Sequence, residues 1–150
     1  METQLNILLI EDNPGDAKLI DIYLREAYAK EYVLTTCDYL HKGLEELTKK
    51  TFDIIIIDLT LPDSGGLDTF KQVYEHSPKT PIIVLTGLDD DEVGIKAVKL
   101  GAQDFLVKGK AKSKTLKRSI KYGIVLFKLL RDLSENTKML QEKTLALERE

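Results

Sequence analysis

Phe52-Asp53-Ile54-Ile55-Ile56-Ile57-Asp58 carries four consecutive isoleucines and closes on a carboxylate. An unbroken β-branched run of this length reads as a strand covered on both faces, the mark of a parallel sheet inside an α/β layer structure. Asp58 then stands at the mouth of a buried strand. Other polar residues end other apolar runs in the same way: Glu11 and Asp12 follow Leu5-Asn6-Ile7-Leu8-Leu9-Ile10, Thr86 follows Ile82-Ile83-Val84-Leu85, and Lys108 follows Phe105-Leu106-Val107. Three acids, one hydroxyl and one ammonium are expected to converge on one rim of the sheet.

Working outward, short β-rich runs alternate with amphipathic helical stretches, which predicts five βα units. After the first strand, Asn13-Pro14 starts a helix whose apolar residues Ala17, Ile20, Tyr23, Leu24 and Ala27 recur at helical spacing. Tyr32-Val33-Leu34-Thr35-Thr36 is the least apolar strand and suits an edge, and Leu40, Leu44 and Leu47 mark the helix after it. Beyond Asp58, Leu59 to Gly66 is a turn-rich loop ahead of a helix through Leu67, Phe70 and Val73. Pro81 opens the fourth strand. Asp89-Asp90-Asp91 offers a cap and first-turn acids for a helix through Val93, Ala97 and Leu100, with Gly101 as its stop and Asp104 to Val107 as the fifth strand.

The chain has 150 residues, 43% of them hydrophobic, which suits one soluble domain with an appendage. A net charge of -3 and a pI near 5.5 argue against a general nucleic-acid binder, which needs cations to neutralise phosphates. Cys37 is the single cysteine, so neither a disulfide framework nor a multi-cysteine zinc site can be built, and the natural reading is a small buried hydrophobe in a reducing compartment. Met1-Glu2-Thr3-Gln4 lacks a basic segment followed by an apolar stretch, and no apolar run nears the ~20 residues that span a bilayer. A cytoplasmic chain without membrane contact is expected. Asp53 reads as a surface acid. His41 and His76 lie in exposed helical stretches without an acidic triad, and Asp89 to Asp91 read as a solvated cap rather than a second metal site.

From about Leu116 a helical pattern without proline runs nearly to Glu150, far beyond the ~11-residue average helix. Ile120, Ile124 and Phe127 are placed to pack its early part on the sheet. Leu126, Leu130, Leu133, Thr137, Leu140, Thr144 and Leu147 step by alternating four and three, a coiled-coil seam that predicts a homodimer. A domain over 1–125 and a helical extension over 126–150 follow. A charged helix that stops in mid-pattern at Glu150 suggests a further C-terminal domain.

Taken together, Glu11-Asp12, Asp58, Thr86-Gly87 and Lys108, with Leu61-Pro62-Asp63 after the aspartate and Gly101-Ala102-Gln103-Asp104-Phe105-Leu106 before the lysine, resemble the response-regulator receiver domain over approximately residues 4 to 125. The resemblance implies a flavodoxin-like doubly wound five-stranded parallel sheet of order 2-1-3-4-5, with its site outside the carboxyl ends of the strands. It implies that Asp58 is the phosphoacceptor and that Glu11, Asp12, Asp58 and the backbone carbonyl of Thr60 hold Mg²⁺. Thr86 and Lys108 would bind the phosphoryl oxygens, while Thr86 and Phe105 would switch conformation on phosphorylation. The output face would be the fourth helix, the fifth strand and the start of the long helix.

A carboxylate is a competent nucleophile toward phosphorus, and Mg²⁺ binds through a few carboxylates plus phosphate oxygens. The partner implied is a histidine kinase or histidine phosphotransfer protein, and the chain would catalyse only its own phosphorylation and dephosphorylation. The resemblance is nearest to receivers placed before sensor or kinase modules. One departure stands out: where the family places a proline in a cis bond after the site lysine, this chain has Gly109, and a cis bond without proline costs ~2.5 to 4 kcal/mol, so the local geometry stays open. Two other classes compete with this reading. One is a receiver-like module that dimerises and signals without phosphate, against which intact Asp58, Thr86 and Lys108 argue. The other is a phosphohydrolase or flavin binder on the same sheet edge, although no Ser/Thr-rich phosphate loop follows the first strand.

Overall fold

The computed structural model describes residues 4–148; Met1-Glu2-Thr3 and Glu150, used above, lie outside the described residues. The isoleucine run forms β3 (Ile54–Asp58), every residue of it buried. It lies at the centre of a five-stranded parallel sheet with β1 (Leu5–Ile10), β2 (Tyr32–Cys37), β6 (Ile82–Thr86) and β7 (Asp104–Val107), in the order β2-β1-β3-β6-β7. That is the expected 2-1-3-4-5 order of a flavodoxin-like sheet, with β2 at an edge. Helices α1 (Pro14–Tyr28), α2 (Leu40–Lys49), α3 (Gly66–His76), α4 (Asp91–Leu100) and α5 (Ser113–Glu148) complete the chain.

Strand alternation divides the isoleucines between two cores. Ile55 and Ile57 join Leu8, Ile10, Phe70, Val73 and Ala97 on the side of α2, α3 and α4. Ile54 and Ile56 join Ile7, Leu9, Leu24, Leu116 and Ile120 on the side of α1 and α5. Among the described residues no helix is long and apolar enough to cross a membrane.

Register brings the rim residues level. Ile10 pairs with Ile57, Asp58 with Leu85, and Thr86 with Val107, so Glu11, Asp58, Thr86 and Lys108 fall within a step or two of one another. Asp53 helps to fix that register from the opposite end of the sheet. Its amide donates to the Asn6 carbonyl at 2.8 Å, and its carboxylate accepts from the Asn6 amide at 2.7 Å. The acid is solvent-exposed, as expected, yet it brackets β1 against β3.

Three local features differ from the sequence expectation. The loop after Asp58 contains a two-stranded antiparallel ribbon, β4 (Thr60–Leu61) with β5 (Ser64–Gly65), because buried Leu59 and Leu61 hold it against the core. Asp90 occupies the cap position of α4 without a side-chain cap hydrogen bond, leaving Asp91 and Glu92 to face the helix dipole from the first turn. The helix α5 begins at Ser113, three residues before Leu116. Gly101 ends α4 as expected, with φ of 127° and the Tyr74 ring 3.0 Å from where a Cβ would lie.

Beyond Ile124 the side chains of α5 leave the body: Leu126, Leu130, Leu133, Leu140 and Leu147 are each more than half exposed, while Phe127 is half-buried.

Ala29 closes α1 with φ 55° and ψ -117°, a backbone conformation in which a Cβ is strained and glycine is not. Ala29→Gly is therefore expected to raise stability by about 0.5 to 1 kcal/mol. A urea midpoint that stays put or falls, at unchanged slope, would contradict it.

Candidate functional site

Each rim residue is pinned by the backbone of a neighbouring strand. The Glu11 amide donates to the Cys37 carbonyl at 2.9 Å, the Leu59 amide, directly after Asp58, to the Leu85 carbonyl at 3.3 Å, and the Lys108 amide to the Thr86 carbonyl at 2.9 Å. Glu11, Asp58 and Thr86 are buried and Asp12 is exposed. Carboxylate oxygens of Glu11, Asp12 and Asp58 lie within 4.8 Å of one another.

Lys108 closes the cluster. Its Nζ donates to Asp58 Oδ2 at 2.8 Å and to Asp16 Oδ2 at 3.0 Å, and approaches Glu11 Oε1 at 2.5 Å off the hydrogen-bonding direction. The other Asp58 oxygen, Oδ1, accepts from the Thr60 amide at 3.0 Å. Both Glu11 oxygens and Thr86 Oγ1 are buried without a hydrogen-bond partner. Glu11 Oε1 keeps its ion pair with Lys108, but Glu11 Oε2 and Thr86 Oγ1 have no such partner; unpaired buried polar atoms are costly, so two in one cluster mark a site shaped for something further. The donor set is all oxygen, which suits a hard divalent cation such as Mg²⁺ beside the carboxylates and an anionic oxygen beside Thr86.

Charge follows the same logic. Burial, and then the Asp58 carboxylate beside it, push the Glu11 carboxyl up to about 8 against the pull of Lys108. Burial works against the Lys108 charge, but the carboxylates of Asp58, Glu11 and Asp16 outweigh it and hold that ammonium above its ordinary pKa.

All the residues expected at the rim are thus brought together, and sequence reasoning missed one neighbour, Asp16. The signal was available: α1 starts at Pro14, with only Asn13 between it and Asp12, so an acid in its first turn faces the same rim, where Asn13 Oδ1 accepts from the Asp16 amide at 3.0 Å. Asp63 proves structural. Burial opposes its charge, but the amides of Leu40 and His41 and the His41 ring hold its pKa down to about 2, tying the loop after Asp58 to α2. This gives His41 its partner, with Nδ1 3.0 Å from Asp63 Oδ2, and His76 Nδ1 lies 2.8 Å from the Gln72 carbonyl.

Gly87 follows Thr86, and a Cβ there would lie 3.2 Å from Asp90 Oδ2. Phe105 is half-buried with its ring against Gly94, where any Cβ would collide with it. Among the described residues no peptide is cis, and Gly109 has φ of +86°, a conformation that suits glycine.

A doubly wound sheet with an acid cluster and a lysine outside the carboxyl ends of its strands defines the class: a flavodoxin-like α/β domain with its site at the switch of strand order. Residues 7–121 match the family model of the response regulator receiver domain, and the chain belongs to that family, the receivers of two-component systems.

Among curated relatives, the cell cycle response regulator CtrA of Brucella ovis is 30% identical over 104 residues, covering 69% of this chain and 44% of its own length. The transcriptional regulatory protein ZraR of Klebsiella oxytoca is 25% identical over 105 residues, covering 70% and 23%. The chain thus spans less than half the length of these relatives. Among solved structures, a receiver domain protein from Clostridium thermocellum is similar at TM-score 0.73 and 26% identity, covering 84% of this chain and 98% of that one. The beryllofluoride-activated NtrC4 receiver domain dimer is similar at 0.70 and 25%, covering 81% and 98%.

The raised Glu11 pKa fixes a pH dependence. An acid that binds its proton more tightly folded than unfolded supports the fold while protonated, and that support is lost as pH rises from the ordinary carboxylate range toward 8. Without divalent metal, the native chain is expected to lose stability between pH 5 and 8, with a ceiling of about 1.4 kcal/mol per pH unit for one proton. Urea unfolding at both pH values, beside Glu11→Gln, checks this: the variant should flatten the slope, and an equal slope in both proteins would refute it.

Proposed function

We propose that this domain takes a phosphoryl group from a phosphohistidine donor, a histidine kinase or histidine phosphotransfer protein, onto Asp58, and passes the change to the face made by α4, β7 and the start of α5. The observation that carries this reading is the Asp58 carboxylate, buried at the end of β3 and 2.8 Å from the Lys108 ammonium, beside two more acids and the unpartnered Thr86 hydroxyl. An Asp58 oxygen attacks phosphorus, the new O–P bond forms as the donor P–N bond breaks, and the nitrogen keeps the electron pair. Phosphoryl transfer asks a protein mainly for alignment and charge balance.

Lys108 supplies one positive charge in line with Asp58, and Thr86 Oγ1 donates to a phosphoryl oxygen. Glu11, Asp12, Asp58 and the Thr60 carbonyl would hold Mg²⁺, whose part is to neutralise the transferred oxygens. Reversal by water returns Asp58, so the domain acts as a switch. Turning of Thr86 toward the phosphoryl group frees space for Phe105, whose ring lies against the bare backbone of Gly94. Phosphate needs to favour that state by only a few kcal/mol.

The tail joins two copies. Its seam from Leu126 to Leu147 is exposed, and in a parallel pair the flanking Lys143 of one helix lies beside Glu148 of the other. The receiver unit then ends near residue 125, and the extension from 126 onward pairs through the part of α5 that runs to Glu148.

Intact mass after incubation with Mg²⁺ and a small phosphodonor tests the chemistry. One labile phosphate on the native chain, absent from Asp58→Asn and from a sample in excess chelator, is the expected result. No adduct on folded native protein, together with no binding of beryllofluoride, would favour a phosphate-independent dimer module. For the tail, light scattering across a concentration series should give a dimer that truncation at Arg131 turns into a monomer, and a monomer in both removes the pairing.

A further inference from the structure

Lys108 has three carboxylate neighbours, and only two of them belong to the acidic group suited to a cation. Its Nζ lies 2.8 Å from Asp58, 2.5 Å from Glu11 and 3.0 Å from Asp16. The oxygens that cluster within 4.8 Å are those of Glu11, Asp12 and Asp58. A divalent ion among those three claims the oxygens on which the ammonium leans, and two cations at one carboxylate pair repel each other. Lys108 must yield at least part of its contact with Glu11 and Asp58. Asp16 is the one neighbour it can keep.

The position of Asp16 suits that role. Pro14 at the helix start and the Asn13 cap fix the first turn of α1, with the Asp16 and Ala17 amides both bonded to Asn13 at 3.0 Å. The Asp16 side chain is 41% exposed, so it accepts an ammonium without the cost of a further buried charge.

We propose that Asp16 is a positioning residue that retains the Lys108 ammonium when Mg²⁺ occupies the Glu11, Asp12 and Asp58 carboxylates, so that lysine and metal do not compete for the same oxygens. The proposal rests on the metal-dependent reading above. Without Asp16, Lys108 stays on Glu11 and Asp58, and the metal has to displace it. An acid in the first turn of a helix also has a plain structural use against the helix dipole. That use predicts a loss of stability but no effect that depends on Lys108.

The test is Mg²⁺ affinity of the full chain, read by calorimetry or by amide NMR shifts, for the native protein, Asp16→Asn and Asp16→Glu, and for Asp16→Asn on a Lys108→Met background. Lys108→Gln serves if the Met variant does not fold. Asp16→Asn should weaken Mg²⁺ binding about threefold or more with Lys108 present, and distinctly less without it, a coupling of the size contacting residues show. Asp16→Glu, which keeps the charge and gains reach, should stay near native. Equal weakening in both backgrounds means that Asp16 acts only through space and overturns the proposal, as does unchanged affinity with Lys108 present. A native chain that binds no Mg²⁺ at all overturns the metal-dependent reading itself, a result separate from either.

Discussion

The ammonium of Lys108 among the carboxylates of Asp58, Glu11 and Asp16 is the contact on which the site depends, because it joins elements that are far apart in sequence. Glu11 follows β1, Asp58 ends β3, Asp16 sits in α1, and Lys108 leads from β7 toward α5. Removing the lysine would leave buried carboxylates facing one another, a far greater penalty than an exposed ion pair is worth. The cluster nevertheless remains unbalanced, with one cation among four acids. Burial first, and then the Asp58 carboxylate beside it, raise the Glu11 pKa against the pull of Lys108, so stability is given up at this rim.

The sheet transmits that constraint. Four isoleucines bury both faces of β3, which fixes it at the centre and leaves its polar end only one direction in which to meet solvent. Those isoleucines, with the matching runs in β1 and β6, made the buried strands and their rim residues legible from sequence, because parallel burial imposes near-continuous apolar runs, whereas the strand order came from the resemblance to the receiver family. What stayed illegible depends on tertiary pairing. Asp53 looks like a surface acid from its position, yet it fixes register through Asn6. Asp63 looks like a loop residue, yet its charge is held by amides of α2, more than twenty positions earlier. Asp16 lies in a helical turn whose start the sequence marks, yet its contact with Lys108 joins positions 92 residues apart, and sequence reasoning missed it. The ribbon of β4 and β5 is too short for any periodicity to show.

The long helix shows a further consequence of pattern and geometry acting together. In its first three turns the buried positions are Leu116, Ser119, Ile120 and Gly123, with Gly123 facing Gln103 and Ile54. At 3.6 residues per turn, the stripe from Leu126 to Leu147 is rotated by roughly a quarter-turn from that buried face. A single helix therefore presses one side on its own domain and leaves a different, apolar side exposed. Ser119 joins the two roles. Its hydroxyl donates to Asp104 at the start of β7 at 2.8 Å, so a shift in β7 reaches α5 through a hydrogen bond as well as through packing. A rigid helix held to β7 by both contacts carries any displacement of that strand along its length, well beyond the sheet.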